Sequence, residues 1–272
     1  MRMTFKDWES ICSGLEGKNF IRIDQVEEQD PNASWICLKH DVETNVKKAL
    51  RKAKIEASLN IKSTYYVQSY LIQDNIDLLK EISDLGHEVT YHYDVLDSNS
   101  GDLEKAIREF DSTVKEFESY GFRVKTVCPH GNPVMDRDGW DSNKDFFRSE
   151  KVKMRYPNIF DLVVDGKKRI SGNYVYISDA GYKWKLISDI TDNDINLSKD
   201  IEIGDTDNLI NFLSDSERVI LSSHPHRWSY SSHLFKLRTK IFFTLRSMAR
   251  AASKVPILKS LMSKFYSLAK KI

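Results

Sequence analysis

The 272-residue sequence predicts an α/β protein built on a parallel β-sheet. Short apolar runs alternate with charge-rich segments of helical spacing along most of the chain, the pattern of strands joined by crossover helices. Seven such runs fall between residues 35 and 224, which suits a barrel-like closure or a doubly wound sheet. Most of these runs also end in a chemically capable residue: Asp41, Gln68, His92, His130, Asp179 or His224. In parallel α/β folds the C-terminal strand ends converge on the functional site.

Taken in order, WICLKHDV (35–42) reads as the first strand and TNVKKALRKAKIEASL (44–59) as the helix that follows it. STYYVQ (63–68) is the second strand. NIDLLKEISDLG (75–86) is helical, with Gly86 as its cap because glycine accepts the left-handed backbone that closes a helix. HEVTYH (87–92) is the third strand. Residues 101–121 form the clearest amphipathic helix, with Leu103, Ile107, Phe110, Val114 and Phe117 on one stripe. TVCPHG (126–131), FDLVVD (160–165), YVYISD (174–179) and RVILSSH (218–224) complete the strands, and 132–158 reads as mostly irregular.

Composition is that of a soluble globular chain, 40% hydrophobic and 30% charged. Three cysteines, Cys12, Cys37 and Cys128, are too few and too scattered for a disulfide framework or a cysteine-rich zinc motif. No apolar run at the N-terminus marks a secretory signal and none is long enough to span a membrane, so a cytoplasmic setting is expected. The net charge of +1 hides an asymmetry: residues 235–272 hold ten basic residues and no acid, leaving 31 basic against 40 acidic residues in the rest. From Leu234 apolar residues recur at helical spacing with Lys and Arg on the other face. Two readings fit this tail, a helix pair packed on the body or a basic amphipathic segment on an anionic membrane surface. Nucleic acid is not expected as a partner, because the body is acidic and no recognised module appears.

Asp41 and Glu43 stand two residues apart, so in extended chain their carboxylates share a face. A charged loop entry is the plainer reading; their place directly after an apolar run favours chemistry. His87 opens its strand and reads as structural, whereas His92 lies at the far end, where a core histidine is the alternative. His130 sits between Pro129 and Gly131 in a tight turn that would hold its ring in one direction, or on the surface. His224 precedes Pro225 at a strand end, and His226 and His233 read as loop residues. Together these groups suit a divalent ion held by three protein ligands with one position open.

In this order LKHDVE, GHEVTYHYDVL, CPHGNP, YISDAGYKW and ILSSHPHRW resemble the polysaccharide deacetylase (NodB-homology, carbohydrate esterase 4-like) superfamily. They resemble most its divergent branch, with H-D-V-D/E in place of T-F-D-D-G, over about Trp35 to Trp228. The resemblance implies a distorted (β/α)7-type barrel, taken as residues 1–233, and the charge and spacing described above set off 234–272 as a basic amphipathic helical tail. It implies a hydrolase that removes N- or O-linked acetyl groups from a cell-surface polysaccharide or its lipid-linked precursor at the inner membrane face. One divalent metal ion, expected to be zinc, would serve the reaction. Carried over residue by residue, Asp41 is the base, Glu43 and His92 are metal ligands, and His224 is the acid that protonates the leaving group. The second histidine of the family's H-x-x-x-H pair falls on Leu96, which binds no metal, and His130 is the candidate replacement. The arginine that tunes the family's base falls on Cys128, and Asp179 is the candidate to take over that tuning. Trp184 or Trp228 would wall the acyl pocket. A metal-free glycan-binding or scaffold protein on the same fold stays open because of Leu96, as does a metal hydrolase of another bond.

Overall fold

The computed structural model of the chain describes residues 2–132, 135, 137–191 and 201–252. Among them β1 (Trp35–Val42) is buried on both faces along its whole length, as a continuous apolar run in a parallel sheet requires. The other strands are β2 (Thr64–Val67), β3 (Glu88–Tyr93), β4 (Thr126–Pro129), β5 (Phe160–Asp161), β6 (Val175–Ser178), β7 (Trp184–Ile187), β8 (Ile201–Gly204) and β9 (Arg218–Ser223). They form one sheet in the order β5-β4-β3-β2-β1-β9-β6-β7-β8. From β5 to β6 every pairing is parallel, and β7 and β8 add an antiparallel edge. The seven parallel strands are those expected from the sequence. No pairing among the described residues joins β5 to β8, so the barrel-like sheet is not closed.

The helices are α1 (Phe5–Ser13), α2 (Val46–Ser58), α3 (Ile76–Asp84), α4 (Val95–Ser98), α5 (Leu103–Ser119), α6 (Lys144–Arg148), α7 (Glu150–Arg155), α8 (Leu162–Arg169), α9 (Thr206–Asp215) and α10 (Ser232–Ala252). Gly86, at φ +91°, closes α3 as expected. The two faces of β1 belong to different cores, because side chains alternate along a strand. Ile36 and Leu38 pack with α1 and α9, whereas Trp35 and Cys37 join Tyr66, Cys128, Phe160 and Ile220 on the inner face.

Three segments differ from the sequence reading. FDLVVD is a strand for two residues only: the Asp161 carboxylate accepts from the N–H groups of Val163 and Val164, at 2.9 and 2.8 Å, and starts α8. An N-cap here overrides the β preference of the valines. The stretch 132–158 contains α6 and α7, too short for periodicity to show, and β7 and β8 were not expected. The tail is helical over α10, where Phe235 is buried and Tyr182 packs against Phe235 and Phe242. Its expected continuation, 253–272, lies outside the described residues. No described helix is long and apolar enough to cross a membrane.

A buried polar network lies behind β1. Glu56 of α2, wholly buried, accepts from Trp8 Nε1 at 2.8 Å, Ser63 Oγ at 2.6 Å and Tyr65 OH at 2.7 Å, and its Oε1 lies 2.9 Å from Nε2 of His40. His87 belongs here, as expected of a structural histidine: its Nδ1 accepts from the Ser63 N–H and its Nε2 contacts the Ala53 carbonyl. The Lys52 ammonium lies between the indoles of Trp8 and Trp228, 3.3 and 4.2 Å from the ring centroids, and donates to Ser223 Oγ. Burial lowers His40 to about 4 against the pull of Glu56. The unfolded chain takes up that proton near pH 6.5, so this contribution is present above 6.5 and lost as pH falls toward 4. His87, His92 and His226 are displaced in the same direction, each by burial. An NMR titration of the histidine ring signals should therefore find His40 neutral down to about pH 4; protonation near pH 6.5, as in a free imidazole, would contradict the buried, neutral ring.

Candidate active site

The site stands at the C-terminal ends of β1, β3, β4, β6 and β9. Alternation along β1 puts Lys39 and Asp41 on the inner face, and Glu43 follows one step beyond the strand. His92 of β3 is in register with Cys128 of β4, and His130 follows β4 directly. His224 follows β9, and Asp179 follows β6, whose Ser178 pairs with Ser222.

Glu43 Oε1 is the point on which three imidazoles converge. It lies 3.5 Å from Nε2 of His130, 4.0 Å from Nε2 of His92 and 3.9 Å from Nε2 of His224. His92 Nδ1 lies 2.9 Å from the Cys128 carbonyl, so it carries the proton and Nε2 presents a lone pair toward Glu43. Ligand atoms on a tetrahedral zinc stand roughly 3.3 Å apart, given bonds near 2.0–2.1 Å. Glu43 Oε1 and the imidazole nitrogens 3.5–4.0 Å from it are donor types that could take part in holding a divalent ion. Among the described residues, Asp41, His92 and Cys128 are the group whose donor atoms all lie within 4.8 Å of one another. That group suits a cation poorly, because the Lys39 ammonium already holds Asp41 and burial pushes the Cys128 thiol well up, away from thiolate.

Asp41 is held differently. Lys39 Nζ donates to both of its oxygens at 2.6 Å. Burial alone would raise Asp41, but Lys39, then His92 and His224, bring it down to about 2. Its Oδ2 lies 3.7 Å from Nε2 of His224.

Asp179 does not tune Asp41, as the sequence suggested; that cation is Lys39. The Asp179 carboxylate serves His224: Oδ1 accepts from Nδ1 at 2.6 Å and Oδ2 from the backbone N–H at 3.0 Å. Arg227 Nη1 and Trp228 Nε1 also donate to it, each at 3.1 Å. Burial would raise Asp179; His224 and Arg227 hold it well below the usual carboxylate range. Trp184 and Trp228 do not wall a pocket either, since both are wholly buried in the core behind the sheet. Leu96 is buried among the apolar residues of the α5 side, a core position. Lys39 escaped the sequence reading, although its i−2 relation to Asp41 was a visible signal; Arg227 had none.

No family model matches the chain, and no curated protein matches its sequence. Solved structures match it at low identity. A CE4 family pseudoenzyme from Bacillus anthracis is 15% identical over 79% of this chain and 63% of its own, with a TM-score of 0.41. A family 4 carbohydrate esterase from Bacillus anthracis is 16% identical over 88% and 84%, with a TM-score of 0.43. A CE4 esterase from Streptococcus mutans is 12% identical over 85% and 89%, again at 0.43. The chain spans a little under two thirds of the length of the first of these. All three are carbohydrate esterase family 4 structures. Likeness this distant leaves the chemistry to be read from the residues.

Lys39→Met removes the cation from a buried carboxylate and should lower stability by about 3–5 kcal/mol. Denaturant unfolding of the metal-free protein at pH 7 measures this, and a loss under 1 kcal/mol would show that Asp41 does not depend on Lys39.

Proposed function

We propose that this protein is a metal-dependent hydrolase that removes acetyl groups from a carbohydrate. The observation that carries this reading is the convergence of His92, His130 and His224 on Glu43, with Asp41 beside them and Asp179 behind His224. Glu43, His92 and His130 would hold the ion, expected to be zinc, which supplies Lewis-acid polarisation of the acetyl carbonyl and of water.

The chain's own residues perform the proton transfers. Asp41, ionised at neutral pH, accepts a proton from the attacking water, and Lys39 keeps both of its oxygens oriented. His224 presents Nε2 to the site while Asp179 fixes the other face of its ring, so it can deliver a proton to the leaving amine or alkoxide. Water and the acetylated sugar thus yield acetate and the free amine or hydroxyl.

The substrate in this reading is a cell-surface polysaccharide or its lipid-linked precursor, handled at the cytoplasmic membrane face. Its support is α10, where Leu234, Leu237 and Ile241 are exposed on a helix that also carries Lys236, Arg238 and Lys240. Charge and apolar exposure of this kind suit an anionic lipid surface. Co-sedimentation with anionic but not neutral vesicles is the expected result, and equal behaviour with both would remove the membrane from the reading.

A second reading is favoured by one observation: Lys39 occupies both oxygens of the proposed base, which suits a metal-free glycan-binding protein. Metal analysis separates the two. The hydrolase should bind about one zinc, bind it far more weakly in His92→Ala and His130→Ala, and release acetate from an acetylated sugar. Asp41→Asn should slow that release by about 10²–10⁴-fold. A protein that takes up no divalent metal sinks the hydrolase reading.

A further inference from the structure

The main chain around His130 is held by residues that the hydrolytic reading does not use. Both peptide groups of His130 are fixed. Its N–H donates to the Tyr93 carbonyl at 2.7 Å, at the end of β3, and its carbonyl accepts from Asn143 Nδ2 at 3.0 Å. Asn143 has no solvent exposure. Its Nδ2 also donates to Asp97 Oδ2 at 2.9 Å, and its Oδ1 accepts the Asp97 N–H at 3.0 Å.

Asp97 is anchored in turn. Arg137 donates to both of its oxygens at 2.8 Å, and Trp140 Nε1 donates to Oδ1 at 2.9 Å. Four donors satisfy this carboxylate, which fixes its direction. Trp140 can approach because position 101 is glycine: a Cβ there would lie 2.5 Å from the indole. Arg137 also reaches forward to the Asn132 carbonyl at 3.0 Å, two residues past His130.

Asp97 follows Leu96 in α4. Leu96 turns into the apolar core, so that position offers the site nothing. The next residue instead holds the segment that presents His130.

We propose that Asp97 and Asn143 form a positioning brace for a metal-ligand histidine, fixing the His130 main chain so that Nε2 meets Glu43. This rests on the reading of His130 as a ligand. Groups behind a metal's own ligands typically govern 10- to 100-fold of its affinity, and a brace on the ligand's main chain acts by the same route, through orientation.

Zinc titration of the full chain by calorimetry, beside the melting temperature of the zinc-free protein, tests the proposal. Asn143→Ala should weaken zinc binding by about 10- to 100-fold. In a His130→Ala background, read at millimolar zinc through Glu43 and His92, the same substitution should change affinity no further. Asn143→Asp, which keeps the size and the Oδ1 acceptor but lacks the donor to His130, should follow the alanine variant and serves where alanine does not fold. Equal weakening in both backgrounds would make Asn143 a general structural residue and overturn the proposal, as would unchanged affinity in the single variants. A parent protein that binds no zinc overturns the ligand reading and the brace with it, an outcome distinct from zinc binding that ignores Asn143.

Discussion

The ion pair between Lys39 and Asp41 is the constraint on which the candidate site depends. Both groups are buried, on one strand, on one face, two residues apart. Removing two charges from water is expensive, and their attraction offsets it only where geometry is close and complete. Here the ammonium lies 2.6 Å from each carboxylate oxygen, and burial alone, which would lower Lys39, is outweighed by Asp41. With Asp41 held by a lysine, Glu43 is the carboxylate that lies within 4.0 Å of all three imidazoles.

β1 therefore separates two kinds of histidine chemistry. His40 points to the helix side, where it and His87 join Glu56 in a network whose donors come from α1, β2 and the turn before it. His92, His130 and His224 face the other way, toward Glu43. Five of the seven histidines thus divide by which face of the sheet they reach, and alternation along β1 sets the division.

Much of this was legible in the sequence, for local reasons. The seven parallel strands announced themselves because buried strands are apolar, and their polar ends marked the site. Asp41, Glu43, His92, His130 and His224 all converge where the strand-end argument expects. What stayed hidden depends on distant pairing: Asp179 meets His224 only because β6 lies beside β9. FDLVVD misled because one carboxylate, Asp161, captures two backbone N–H groups that strand pairing would otherwise use. The edge strands β7 and β8 carry partly exposed sequences without a clean alternation.

The neighbours of β1 differ in how far along the chain they lie. β2 follows it after one helix, whereas β9 arrives from Arg218 onward. The N-terminal segment is more remote still, since Phe5 donates to the Ser229 carbonyl and Ser229 to the Met3 carbonyl. Closing such loops forfeits chain entropy before any contact repays it, so distant pairings form late. The half-sheet bearing Asp41, Glu43, His92 and His130 can then assemble from early-made chain, while Asp179 follows with β6 and His224 with β9, the last strand. In the growing chain, Glu43 and two of its imidazole neighbours precede the third.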